Sequence, residues 1–113
     1  MIIPQTEWLA PTEYPDLRSA DEIAIDLETR DPDLKKLGSG AIIGNGEVVG
    51  IAVAVDGWKG YFPIAHEIGP NEDRKKVLSW FKDVCESPAT KIFHNAMYDV
   101  CWIRNLGIKI IFQ

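Results

Sequence analysis

Cysteine is scarce in this chain: Cys85 and Cys101 are the only two among 113 residues, which excludes a disulfide-dense secreted scaffold. Long hydrophobic runs are missing too. No stretch approaches the ~20 consecutive apolar residues of a membrane span, and the opening Met1-Ile-Ile-Pro-Gln5 lacks the basic start of a secretory signal. These absences predict a cytoplasmic chain with reduced thiols and no membrane partner. Positive charge is also short, with 12 Lys and Arg against 17 Asp and Glu and a net charge of -5. That balance argues against a protein that reads nucleic-acid sequence through a basic face. It leaves a nuclease open, because carboxylates that hold divalent metal ions reverse the local charge where a phosphate backbone must approach. What is present is 46% apolar and 26% charged side chains, enough for one ordinary globular domain and too little for two.

The first twenty residues carry Pro4, Pro11 and Pro15 with Trp8 and Leu17 as isolated apolar anchors, and read as an extended lead-in. The domain proper is expected over residues 21–113. Glu22-Ile-Ala-Ile-Asp-Leu-Glu-Thr29 is short and rich in Ile, the pattern of a strand covered on both faces. Residues 30–47 hold four glycines, Pro32, Lys35 and Lys36, and read as a long polar connection. Val48 to Val55 predicts a second strand, Asp56-Gly57 a turn, and Gly60 to Ile64 a third strand. Pro63, which cannot donate to a ladder, puts that third strand at an edge. Asn71 reads as a helix N-cap, and Val77, Leu78, Phe81, Val84 and Cys85 recur at helical spacing until Ser87-Pro88. Lys91-Ile-Phe93 predicts a short strand, Asn95 to Leu106 a second helix closed by Gly107, and Ile108 to Phe112 a further strand. The expected class is α/β: a three-stranded antiparallel meander, then helix, strand, helix and strand, the order of a truncated ribonuclease H-like fold.

Alternation in the first strand sets Ile23, Ile25 and Leu27 on one face and Ala24, Asp26 and Glu28 on the other. Asp26 and Glu28 are then ~6.5 Å apart along the strand. Two carboxylates side by side repel each other, and burial sharpens the repulsion. A divalent cation removes both costs, since Mg²⁺ takes one or two carboxylates together with phosphate oxygens. The plainer alternative is a solvated Glu28 and an Asp26 that caps a turn. In the second helix, Asn95, Asp99, Trp102, Ile103 and Leu106 share one stripe. An acid on an apolar stripe costs several kcal/mol unless something compensates it, although a structural Asp near a helix N-terminus is favourable by itself. Asn95, one turn earlier, is placed to hydrogen-bond Asp99 or a ligand.

With Asp26-Leu-Glu-Thr29 followed far downstream by His94-Asn-Ala-Met-Tyr-Asp99, the chain resembles the first two motifs of the DEDD 3′-to-5′ exonucleases. Gly60-Tyr-Phe-Pro-Ile-Ala-His66, leading into the helix before the second motif, is similar to the proofreading domain of family A DNA polymerases. Asp31-Pro-Asp-Leu34 and Val49-Gly-Ile-Ala52 resemble the bacteriophage branch, whose location is the host cytoplasm. The resemblance implies a two-metal site for Mg²⁺ or Mn²⁺, with Asp26 bridging both ions, Glu28 on the nucleophile-side metal and Asp99 on the second. It implies that Thr29 and Asn95 contact the terminal nucleotide of a single-stranded DNA 3′ end, which loses a nucleoside monophosphate. The remainder of a polymerase chain is the other expected partner.

The family's third motif, a Tyr or His four residues before a final Asp, has no counterpart in these residues. The expectation is an N-terminal piece of the domain with an incomplete metal site, inactive in isolation and open to self-association through an uncovered apolar face. Two other readings stand beside it: a ribonuclease D-like exoribonuclease, and a non-catalytic structural or DNA-holding module of the same fold. His66 reads as structural and His94 as a residue at the substrate's edge, because imidazole suits Mg²⁺ poorly. Cys85 and Cys101 lack metal-site spacing and read as buried. Arg74-Lys75-Lys76 reads as a solvated face.

Overall fold

The computed structural model describes residues 14–111, so the expectations for Pro4, Trp8 and Pro11 and for the end of the last strand at Phe112 lie outside the described residues. Residues 14–20 have no helix or strand, and Leu17 is their buried anchor.

Strands β1 (Glu22–Arg30), β2 (Glu47–Val55) and β3 (Trp58–Pro63) form the expected antiparallel meander. Asp56 and Gly57 make the turn between the paired Val55 and Trp58, with Gly57 at φ 87°. A β-branched residue would be strained at that φ. Strand β4 (Thr90–Phe93) lies parallel to β1 on the other side, giving the order β3-β2-β1-β4. Pro63 therefore sits on an edge strand, as its missing N–H requires.

The odd-numbered row of β1 faces the core. Ile23 and Ile25 pack with Ile51, Val53 and Phe62 against Val77, Phe81 and Val84 of helix α3 (Arg74–Glu86) and Trp102 and Ile103 of helix α4 (Ala96–Asn105). Each such buried side chain contributes ~1.5–3 kcal/mol over leaving it in water. The even-numbered row is not covered in the same way. Asp26 is half-buried, Glu28 is exposed, and Ile92, aligned beside Ala24, is 47% exposed. The expectation of a strand sealed on both faces is thus corrected: helices α3 and α4 seal one face.

Three local expectations change. Residues 30–47 are not a plain connection but contain two helical turns, α1 (Leu34–Leu37) and α2 (Gly40–Ile43). The Asp31 carboxylate accepts the Gly40 N–H at 3.1 Å, and Asp33 accepts the Asn45 amide at 2.8 Å. Those bonds supply the backbone and side-chain partners that a free loop would seek in water. The cap of α3 is Asp73 and not Asn71: its side chain accepts the N–H groups of Lys75 at 3.0 Å and Lys76 at 3.3 Å. Replacing Asp73 with Ala is expected to cost about 1 kcal/mol in urea unfolding, and an unchanged midpoint would refute the cap's contribution.

The final strand does not form among the described residues. The Ile111 N–H donates to the Cys85 carbonyl at 3.0 Å, and the buried Lys91 ammonium donates to the carbonyls of Ile111, at 2.9 Å, and of Ser87. The end of α3 and one ammonium take the backbone groups that a sheet partner would have used. Cys85 is fully buried as expected, and burial pushes its thiol up to about 12. Cys101 is only half-buried. Among the described residues no helix is long and apolar enough to cross a membrane.

Candidate functional site

Three elements bring the candidate residues to one end of the sheet. Strand β1 carries Asp26, Glu28 and Thr29, and the first turn of α4 carries Asp99. Beside them, the segment after β3 carries His66.

Asp99 is 4% exposed on a helix whose other buried residues are Trp102 and Ile103. Burial pushes its carboxyl up to about 6; the negative charge of Asp26 pushes the same way, and His94 opposes both. The two acids, distant in the chain, therefore act on each other through poorly screened surroundings. The buried acid on an apolar stripe is as expected. Of the two partners expected for the Asn95 side chain, Asp99 is not bonded: Asn95 is exposed, its side chain makes no cap bond, and its link to Asp99 is the helical one from the Asp99 N–H to the Asn95 carbonyl at 2.9 Å.

Glu28 shares the open face but looks toward β3. The Tyr61 hydroxyl donates to Glu28 Oε2 at 2.6 Å, and His66 Nε2 lies 2.5 Å from the same hydroxyl and 3.8 Å from the carboxylate. Register explains the meeting. Glu28 stands opposite Gly50, Gly50 opposite Pro63, and Tyr61 two residues back on the same face. Burial, the hydrogen bond to Glu28 and the Glu28 charge all push the Tyr61 phenol well above its ordinary value, so it stays protonated and remains a donor. At this point the β1–β2 pairing carries a bulge: Glu28 pairs with Gly50 and Thr29 with Val48. The carbonyl of the extra residue, Val49, accepts the N–H groups of Ile64 at 2.9 Å and Ala65 at 3.1 Å. Such bulges re-aim side chains at the ends of strands, and this one ties the His66 segment to the sheet. An open cleft of about 390 Å³ borders it, walled by Glu28, Arg30, Val49, His66 and Glu67.

Thr29 belongs to a second network. The Tyr98 hydroxyl donates to Asp31 Oδ2 at 2.7 Å, and the Thr29 hydroxyl meets Tyr98 at 2.9 Å. Having given its proton to the carboxylate, Tyr98 accepts from Thr29. This network joins the end of β1, the α1–α2 segment and the first turn of α4.

Tyr61, Tyr98 and Asp31 are absent from the candidates read off the sequence. Strand alternation places Tyr61 on the face opposite Phe62, the one usable signal. The Arg74-Lys75-Lys76 cluster is exposed as expected, with the Lys76 ammonium 4.9 Å from the centre of the Tyr14 ring.

By donor chemistry, Asp26 and Asp99 fit a hard divalent cation: both offer oxygen, and a cation removes the repulsion that raises Asp99. Glu28 is engaged by Tyr61. Among the described residues no three His, Cys, Asp or Glu side chains gather closely enough to cage a metal.

Together these features define a mixed α/β domain whose four-stranded sheet presents coupled carboxylates at one end. No protein-family profile matches the chain. The chain is 44% identical over 114 residues to a protein of Pseudomonas phage M6 named DNA-directed DNA polymerase. The match covers 92% of this chain and 16% of that polymerase. The chain is thus a homologue of one section of a phage DNA polymerase.

Proposed function

We propose that the chain is the first part of a 3′-to-5′ proofreading exonuclease domain of ribonuclease H-like fold, within a larger DNA polymerase. The observation that carries this reading is the coupling of buried Asp99 to Asp26, two acids of widely separated motifs. The polymerase relative favours DNA over the ribonuclease D-like alternative. Asp26 and Asp99 would hold Mg²⁺ or Mn²⁺, with Glu28 as a further oxygen donor. When bound, such ions activate water and stabilise the departing 3′ oxygen at phosphorus. Thr29, fixed by Tyr98, and the exposed Asn95 would face the terminal nucleotide of a single strand.

The polymerase that carries this segment, given a 5′-labelled single-stranded DNA and Mg²⁺, is expected to shorten it from the 3′ end. Replacing Asp26 and Glu28 together with Ala is expected to lower that rate by at least ~10²–10³-fold, the scale set by losing preorganised charge stabilisation, with polymerisation intact. Undiminished degradation by the double variant would sink the assignment. The isolated chain, which has no Tyr or His four residues before an Asp, is expected to be inactive.

A further inference from the structure

Tyr61 has no role in the reading above, yet its hydroxyl donates to Glu28, a candidate carboxylate, at 2.6 Å. We propose that Tyr61, backed by His66, is a positioning residue that holds Glu28 in one rotamer for its part in the proposed exonuclease site. The inference rests on that functional reading and adds residues to it.

An ionised Glu28 only accepts, so the 2.6 Å contact uses the single Tyr61 proton. The 2.5 Å contact with His66 must then run from the Nε2–H of His66 to the phenol oxygen. The chain of bonds is directional: His66 to Tyr61, Tyr61 to Glu28. A hydrogen bond to a charged acceptor is about twice as strong as a neutral one. It also leaves the second carboxylate oxygen, Oε1, for a ligand.

The far end of the chain of bonds is anchored. The His66 N–H donates to Asn71 Oδ1 at 2.8 Å, and the Asn71 amide donates back to the His66 carbonyl at 3.1 Å. Asn71, displaced from the cap by Asp73, clamps the loop that aims the imidazole. The rings of Tyr61 and His66 meet edge to face with centroids 5.7 Å apart, which fixes the imidazole's orientation as well as its distance.

Gly50 forms the floor beneath the Tyr61 ring. A Cβ on Gly50 would stand 1.9 Å from the Tyr61 hydroxyl oxygen and 2.5 Å from Cζ. The ring reaches Glu28 only because residue 50, directly opposite Glu28, has no side chain. Without these partners Glu28, at 58% side-chain exposure, would sample several rotamers at a strand end.

Two variants test this by independent routes. Tyr61→Phe deletes the donor and keeps the ring; Gly50→Ala keeps the hydroxyl and displaces the ring. Three-bond NMR couplings of the Glu28 side chain in the purified chain are expected to report one rotamer, and averaging in Tyr61→Phe. In the intact polymerase each variant is expected to lower exonuclease kcat by about 10–100-fold, the usual effect of losing a partner that orients a ligand. Substrate KM and polymerisation are expected to stay unchanged. Averaged Glu28 couplings in the unsubstituted chain, or a Tyr61→Phe polymerase with full exonuclease activity beside an inactive Asp26→Ala/Glu28→Ala control, would overturn the positioning role alone. Full activity in the control would overturn the functional reading, and this inference with it.

Discussion

In EDTA the chain is expected to lose stability as pH rises from about 4 to about 6, and Asp99→Asn is expected to remove that slope. Asp99 titrates near 3.8 when unfolded and at about 6 when folded. Between those values the folded state binds the extra proton, so raising pH favours unfolding. A separation of about two pH units, at ~1.4 kcal/mol per unit, puts the loss at about 3 kcal/mol once both states are ionised. The sign is opposite to that of a salt-bridged aspartate. It follows from burial and from the charge of Asp26, which His94 opposes without cancelling. Urea unfolding at pH 4, 5, 6 and 7 for both chains measures it. Parallel curves for the two chains would refute the claim that Asp99 is held in an unfavourable charged state. A divalent cation on the Asp26–Asp99 pair is expected to restore the lost stability above pH 6, because a ligand that binds only the folded state stabilises it by mass action.

Trp102→Ala is expected to cost about 3–5 kcal/mol, the range for removing a large aromatic from a core. Trp102 is 1% exposed, and it is the largest of the fully buried side chains. It stands one turn after Asp99 on α4 and touches Tyr98 edge to face, with ring centroids 6.3 Å apart. The ring therefore seats the helix that carries Asp99 and the tyrosine that fixes Thr29. Domains of this size commonly have only ~5–15 kcal/mol in all, so the variant is expected to be largely unfolded at 37 °C. Circular dichroism melting checks it. Trp102→Phe is expected to cost much less, since most of the apolar volume remains, and a melting curve for Trp102→Ala like that of the parent would show that α4 is held by other contacts.

Much of the sheet is legible in the sequence because β-branched and apolar runs with alternating faces have few other uses. Glu22–Arg30 and Glu47–Val55 fall within a residue or two of expectation, and Pro63 marks its strand as an edge. Helix α4 is legible for the same reason, its stripe of Asp99, Trp102 and Ile103 being buried as spaced. Helix caps are harder. Asn71 and Asp73 are both good N-caps, and only the path of the chain out of β3, where the Glu72 N–H donates to the Pro63 carbonyl at 2.7 Å, decides that the helix starts after Asp73. The α1–α2 turns are not legible in the sequence because their bonds come from Asp31 and Asp33, local acids that composition alone assigns to a polar loop. Among the described residues the strand expected after Gly107 does not form, for a tertiary reason: Lys91, a residue normally solvated, is buried and bonds Ile111.

By itself the sequence determined the strand parity that sets Asp26 and Glu28 on one face, and the helical period that sets Asp99 among apolar residues. Both are periodicities of backbone geometry and need no fold to be read. The tertiary structure alone decided that the charge of Asp26 acts on buried Asp99, that Glu28 is gripped by Tyr61 and His66, and that Gly50 leaves room for that grip. Those are relations between elements far apart in the chain. They depend on the order of strands, one bulge and the absence of a single Cβ, quantities that no local pattern of residues encodes.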